Sequence, residues 1–427
     1  MTEYREADFS RLKTVSIARR PNKVDPSLLG HPPGRDKSFA AFWRSLPDIL
    51  AAQDLRYVAD QIARAAGRRA VVVLLGGHVI KVGLGPLLRE LVRRGVITHL
   101  AMNGSAAIHD FELAAFGGTS EDVARGLADG SFGMVEETGR EMNAAVAEGA
   151  RAGRGMGEAL TEYLKGRASL AAPEVSVLLA AAAAGVPVTV HATVGADITH
   201  QHPTADGAAL GATSHRDLKR LAAALPALHD GGVVLNLGSA VVMPEVFLKA
   251  LTVARNLNGG KPTGFTACDC DMQRHYRPRV NVVERPTLAG GRGIQLTGHH
   301  EILIPLLCWA VLEQLDARER PPRCPPARSR CRCPSFPPAP ARGARTGRAP
   351  GPRGRRARPR SARSVRPASQ QTPGRLRPGR ARARRWRLAG RGPPRPGHTP
   401  PPPPRRRPPR RRRFSRAGAP LKPAATF

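Results

Sequence analysis

The sequence predicts an α/β domain with a mainly parallel sheet and helices on both faces. Short apolar runs rich in Val, Ile and Leu alternate along the chain with segments whose apolar residues recur at helical spacing. The links between these segments are short. Strand–helix–strand repetition with short links is typical of a parallel sheet, because each helix returns the chain to the same edge.

Seven apolar runs are predicted to be strands. The first is apolar at every position and ends at Gly76-Gly77, as expected of a strand buried on both faces. The predicted strands cover residues 70–75, 96–102, 186–191, 232–237, 264–268, 280–284 and 294–297. Helices are predicted over residues 39–66, 84–94, 106–116, 173–184, 214–225, 244–256 and 301–315, and one more begins at the capping residues 119–122.

The charge of the chain is very unevenly distributed. Of its 68 Lys and Arg residues, 32 lie in residues 321–427, which contain no Asp or Glu. Residues 1–320 hold the other 36 and all 33 acidic residues, so the net charge of +35 belongs almost wholly to the tail. We therefore predict an extended arm over residues 1–38, a folded domain over 39–318 and a disordered Arg/Pro-rich tail over 319–427.

The tail has two interpretations. It is either a solvated arm that binds nucleic acid through its arginines, or a frameshift artefact, since GC-rich DNA read out of frame yields Arg, Pro, Ala and Gly. The sudden loss of acidic residues, with Arg replacing Lys almost completely, favours the artefact. Nucleic-acid binding is therefore expected only through the tail.

Several features of the sequence predict a cytoplasmic protein. Residues 1–320 contain three of the six cysteines, and Cys268-Asp269-Cys270 has no second pair with the spacing of a zinc site. The sequence begins without an apolar signal segment, and no apolar run is long enough to span a membrane.

Small residues follow three of the predicted strands. These segments are Gly76-Gly77-His78, Asn103-Gly104-Ser105 and Gly238-Ser239. Ligands of open parallel sheets bind beyond the carboxyl ends of the strands, so the segments are candidates for a cofactor site. Tight turns are the alternative interpretation. The next helix carries His109 and Asp110 in its first turns, either as site residues or to complement the helix dipole.

The densest polar cluster of residues 1–320 is His191, Asp197, His200 and His202. Such residues at a strand end either bind a metal or move protons, which keeps a metal-dependent hydrolase open as an alternative. A polar loop whose histidines bond to the backbone is the third interpretation.

The order of these segments resembles the deoxyhypusine synthase family over roughly residues 40–315. The matching segments are 77–83, 103–106, Asp110, Pro187-Val188, 195–197, 237–242, Thr266-Ala267, Asp271, Arg277-Pro278 and 305–307. The resemblance implies a Rossmann-like domain that binds NAD, a homotetramer, and transfer of an aminoalkyl group from a polyamine or related small amine.

The resemblance also assigns site residues. We expect catalytic roles for His109 and His200, which stand where the family has acidic residues and which can shuttle protons near neutral pH. The resemblance implies catalytic roles for Asp110 and Asp197. It implies cofactor contacts at Gly76, Gly77, His78, Asn103, Gly104, Ser105, Gly238, Ser239, Thr266 and Asp271, and no metal. The family's catalytic lysine should lie shortly after Arg277-Pro278, but residues 279–286 contain none. Arg285 cannot form an imine, because its guanidinium stays protonated. We therefore expect transfer to a free amine acceptor without an enzyme adduct.

Overall fold

The computed structural model describes residues 4–319. Six strands form one sheet in the order β3-β2-β1-β4-β5-β6, and every neighbouring pair is parallel. The strands are β1 (Val71–Leu75), β2 (His99–Asn103), β3 (Val188–His191), β4 (Val233–Leu237), β5 (Thr266–Asp271) and β6 (Arg292–Thr297). The predicted fold class is confirmed for this part of the chain, and the predicted tail beyond Glu319 lies outside it.

The helices lie mostly between the strands. They are α1 (Phe39–Ser45), α2 (Leu50–Ala65), α3 (Gly77–Lys81), α4 (Gly85–Arg93), α5 (Gly104–Phe116), α6 (Val123–Asp129), α7 (Glu136–Arg151), α8 (Met156–Gly166), α9 (Val177–Ala183), α10 (Gly207–Ala224), α11 (Val242–Leu257), α12 (Tyr276–Pro278), α13 (Arg285–Thr287) and α14 (His300–Glu319). No helix within residues 4–319 has the length and apolar character needed to cross a membrane.

Both faces of the sheet are buried, as the continuous apolar strands predict. Successive residues of a strand point to opposite faces. Val71, Val73 and Leu75 belong to the core that includes residues of α2, α5 and α14. Val72 and Leu74 belong to the opposite core, formed with residues of α10 and α11. Helices therefore cover the sheet on both sides.

The predicted strand at residues 280–284 is wrong. Arg279–Glu284 forms a π-helical turn between α12 and α13. Val280, Val282 and Val283 are buried, so the run has the apolar character of an interior strand. Periodicity cannot separate a short buried helix from a short buried strand, which explains the error.

The predicted helix over residues 173–184 is divided. A 3₁₀ turn, Pro173–Val175, precedes α9. Ser176 ends the turn and caps α9, since its hydroxyl accepts the amide N–H of Leu179.

The segment before α1 has little regular structure. Between Tyr4 and Ser38 the structure shows three 3₁₀ turns, whose first amides are capped by Asp8, Ser16 and Asp25. Almost every side chain there is exposed. The boundary of an arm at residue 38 stays a prediction.

Candidate functional site

The strand order reverses between β1 and β4. Such a reversal is the switch point at which open parallel sheets bind ligands, and the order found here is that of the Rossmann fold. Gly76 follows β1 and Gly238 follows β4, so both lie at the carboxyl edge of the sheet at this point.

The glycines at this edge are required by close packing of the loops. A Cβ atom at Gly76 would overlap the carbonyl oxygen of Gly238, and one at Gly77 would overlap the hydroxyl of Ser105. Gly238 also has a φ of +64°, which disfavours other residues. The structure thus brings three predicted cofactor segments into contact, and loop packing alone accounts for their small residues.

Two histidines stand beside these loops. The ring of His78 lies 5.5 Å from that of His300, the first residue of α14. Both ring nitrogens of His300 are buried and have no hydrogen-bond partner among the described residues. Burial lowers the pKa of His300, and the carboxylate of Asp271 opposes this shift. His300 therefore offers an unsatisfied imidazole next to Gly238.

A cavity of about 720 Å³ lies beside the loops that follow β2 and β3. One face of α5 forms a wall of it, through side chains spaced three to four residues apart. These are Ser105, Ile108, His109, Glu112 and Phe116. Residues of α3, of the loop before α6, of the first turns of α7 and of the loop after β3 complete the lining.

Three glutamates line the cavity without a basic partner within the described residues. Glu112 is only 8 % exposed, and its two oxygens accept the hydroxyls of Thr119 at 2.5 Å and Thr138 at 2.8 Å. Glu121 accepts the amide of Gly133 at 2.9 Å. Glu137 is exposed in the first turn of α7. A buried carboxylate without a counter-ion is costly, so the cavity favours a cation.

His109 is poised to accept a proton. Its Nδ1 lies 2.7 Å from the hydroxyl of Thr119, whose own proton goes to Glu112. Thr119 therefore accepts from Nδ1–H, and Nε2 keeps its lone pair. Burial lowers the pKa of His109 to about 4, and the charges of Lys81 and His78 act in the same direction. The imidazole is neutral near pH 7.

Asp197 lines this cavity and pairs with His200, which does not line it. His200 Nε2 lies 3.8 Å from Asp197 Oδ2, which accepts the amide of Thr193 at 3.0 Å. Burial raises the pKa of Asp197. Both nitrogens of His200 lack a hydrogen-bond partner among the described residues. A carboxyl group and an imidazole this close can share and move a proton.

Asp110 is placed differently from the catalytic role that the resemblance implies. It is 1 % exposed and does not line the cavity. Its carboxylate accepts the hydroxyl of Ser176 and the amides of Val177 and Leu178, which joins α5 to the start of α9. Burial raises its pKa to about 6. This geometry is that of a helix cap.

Other predicted contacts also have internal partners. Asn103 caps α5 by accepting the amide of Ala106 at 2.9 Å, and Ser239 accepts the amide of Met243 at 3.1 Å. Thr266 is the first residue of β5 and Asp271 the last. Thr266 therefore lies at the amino edge of the sheet, away from Gly238, and only Asp271 reaches the switch point.

The cluster behind the hydrolase alternative does not converge. His202 Nε2 bonds to the carbonyl of Gly133 at 2.9 Å, and His191 lies against Thr189 at 3.1 Å. Burial lowers the pKa of His191 to about 3. Within residues 4–319, no three His, Cys, Asp or Glu side chains are placed to hold a metal ion. Only Asp197 and His200 stay together.

Sequence reasoning missed most of the charges around the cavity. The spacing of Ser105, His109 and Glu112 on one helix face was a usable signal for Glu112. Glu121 and Glu137 gave no such signal, since they come from other segments that meet α5 only after folding. The structure also places Lys81 on the cavity wall.

Comparisons with known proteins give similarity of overall fold. No model of a known protein family matches the chain, and no match to a curated protein was found. A solved structure provisionally assigned as a deoxyhypusine synthase from Entamoeba histolytica aligns with a TM-score of 0.40 and 10 % identity, over 66 % of this chain and 96 % of that one.

Two further structures align comparably. A provisionally assigned LOR/SDH protein from Methanococcus maripaludis gives a TM-score of 0.39 and 14 % identity, over 64 % of this chain and 72 % of that one. ArgZ, a cyanobacterial arginine dihydrolase, gives a TM-score of 0.38 and 16 % identity, over 62 % of this chain. This chain spans about a third of the length of ArgZ, 33 %. None of these likenesses carries a functional argument.

Proposed function

We propose that this protein is an NAD-dependent enzyme that transfers an aminoalkyl group from a polyamine or a related small amine. One observation carries the proposal: Glu112, Glu121 and Glu137 face a cavity at the carboxyl edge of the sheet and have no basic partner within residues 4–319. A protonated amine supplies the missing positive charge.

The buried carboxylate is the main amine ligand in this proposal. Thr119 and Thr138 hold the two oxygens of Glu112 in place, so the carboxylate keeps its position when no ligand is bound. Glu121 is fixed through the amide of Gly133. Fixed acceptors cost little reorganisation on binding, which strengthens their attraction for an ammonium group.

Two groups are available to move protons. The free Nε2 of neutral His109 accepts a hydrogen bond from the amine and can hold its proton only transiently, because burial lowers the pKa of His109 to about 4. Asp197, which lines the cavity beside Gly104, provides a second acceptor together with His200. Asp110 is not included, since its carboxylate is occupied as a helix cap.

A dinucleotide is assigned to the switch point because open parallel sheets bind ligands there. His300 offers a buried imidazole without a hydrogen-bond partner beside Gly238, while contact between the loops accounts for the glycines themselves. His78, Ser105 and Asp271 border the same edge. The chemistry that NAD supplies when bound is reversible hydride transfer.

The acceptor in this proposal is a free amine. Residues 279–286 form a helical segment without lysine, in which Asn281 Nδ2 donates to Glu245 at 2.8 Å and Arg285 donates to Asn281 at 3.0 Å. A homotetramer is proposed on the family resemblance alone, and a cytoplasmic location on the cysteine content and the absence of an apolar segment of membrane-spanning length in the sequence.

The test is NAD reduction by purified protein with spermidine. We expect spermidine to reduce the nicotinamide transiently, and an added acceptor amine to reoxidise it as the free polyamine product forms, because the hydride returns to the transferred group. The rate should fall at least about tenfold in Asp197→Asn. Glu148→Gln, on an exposed part of α7, is the matched control. A wild-type rate in Asp197→Asn, or no reaction with any amine, would reject the proposal.

A further inference from the structure

The cavity carries opposite charges at its two ends. Ser105 and Glu112 lie on the same face of α5, and the helical rise separates them by about 10 Å along the axis. Lys81 is the last residue of the short helix α3, whose first residue, Gly77, packs against Ser105, so α3 adjoins the Ser105 end. Burial lowers the pKa of His109, which lies between the two ends, and the nearby ammonium group of Lys81 lowers it further.

Lys81 differs from two other lysines of the folded part. It is exposed on the cavity wall, and no carboxylate of residues 4–319 lies within ion-pair distance of its ammonium group. Lys165 and Lys249, by contrast, pair with Glu162 and Glu245 on their own helices. A diamine or polyamine places only positive charge in the cavity and would be repelled at the Lys81 end.

Asp197 stands at the same end as Lys81. Its carboxylate lies against Gly104, the first residue of α5, and lines the cavity. This end therefore offers one cationic and one anionic group, while the Glu112 end offers only carboxylates. An α-amino acid has a carboxylate and an ammonium group on one carbon, which matches the first end. An amine on its side chain matches the second.

We propose that the substrate is a linear α-amino acid with a side-chain amine. In this arrangement Lys81 binds the α-carboxylate, Asp197 the α-ammonium group and Glu112 the distal ammonium group. The distal contact rests on the function proposed above. Lys81 and Asp197 add discrimination between an amino acid and the diamine that lacks its carboxylate, since only the amino acid satisfies Lys81.

Two ligand pairs test this discrimination, because their members differ only in the α-carboxylate. The pairs are L-ornithine with putrescine and L-lysine with cadaverine. Calorimetry on wild type should show the amino acid of at least one pair binding about tenfold or more tightly than its diamine. Lys81→Met should weaken the binding of the amino acid by a similar factor. It should leave the binding of the diamine unchanged or make it tighter. Lys165→Met, on exposed α8, is the matched control.

Glu112→Gln should weaken the binding of both members of a pair. Glu137→Gln repeats this test at an exposed position, where the substitution does not endanger folding. Equal binding within both pairs, or equal effects of Lys81→Met on amino acid and diamine, would overturn the inference and leave the amine site intact. If none of the four ligands binds, both proposals fail.

Discussion

The crevice between β1 and β4 and the cavity beside β2 and β3 lie at the same edge of the sheet, but they are filled differently. In the crevice, Gly76 and Gly238 bring two loops into contact, so that backbone atoms occupy the space. In the cavity, Glu112 and Lys81 line open volume without ion-pair partners in residues 4–319.

This difference between the crevice and the cavity shows that small residues at strand ends and charged residues in a cavity differ in their value as indicators of function. Small residues at strand ends are explained by loop packing whether or not a cofactor binds, so they are weak indicators of function. A buried carboxylate that faces a cavity without a counter-ion costs the fold stability, and the two hydroxyl bonds from Thr119 and Thr138 offset only part of that cost. The charged cavity is therefore the stronger indicator of a binding site.

The largest effect is expected at the crevice. Gly76→Ala places a Cβ atom against the carbonyl of Gly238 and the amide of Ser239, and neither can move without displacing a strand end. We expect a loss of more than about 3 kcal/mol in the free energy of unfolding, measured in urea. Gly211→Ala, in open space on α10, should be neutral or slightly stabilising. A stable Gly76→Ala would show that the loops are not closely packed.

A second prediction separates Asp110 from the cavity. Asp110→Ala removes the acceptor of Ser176, Val177 and Leu178, which should lower the free energy of unfolding by about 3 kcal/mol. Amine binding by the remaining folded protein should be unchanged, because Asp110 does not line the cavity. If amine binding fell by more than the loss of folded protein explains, Asp110 would have to be a residue of the binding site.

A smaller effect is expected from pH. The pKa of His109 in the folded protein is about 4, below its ordinary value of 6.5, so its contribution to stability is complete above pH 6.5 and is lost as the pH falls towards 4. In His109→Gln this pH-dependent loss of stability is absent, because glutamine does not take up a proton. The free energy of unfolding of the variant relative to wild type should rise by about 1 kcal/mol between pH 7.5 and pH 5, allowing for the partial exposure of the ring.

The control for this measurement is His31→Gln, at an exposed position. Its stability difference from wild type should stay constant over the same range. A proton titration of His109 near its ordinary pKa, followed by NMR, would contradict the proposed burial.

The sequence predicted the sheet well for physical reasons. Strands buried on both faces, such as Val71–Leu75, are apolar at every position and end abruptly at glycine, which makes them easy to recognise. The run at residues 280–284 has the same composition but lies between Pro278 and Pro286 in a helical segment. Composition alone could not distinguish the two.

The site was predicted only in part. Ser105, His109 and Asp197 were named from strand ends, and all three line the cavity. Glu121 and Glu137 could not be found in this way, because a loop and a separate helix bring them to α5. Local patterns report local structure, whereas a charged cavity depends on where distant segments meet.

The most direct test of the account compares two neighbouring glutamates. Glu136 and Glu137 are both exposed in the first turn of α7, but only Glu137 lines the cavity. We predict that Glu137→Gln weakens the binding of spermidine or L-ornithine about threefold at low salt, that Glu136→Gln does not, and that NAD binding is the same in both. Equal amine affinities in the two variants would contradict the claim that this cavity holds the amine.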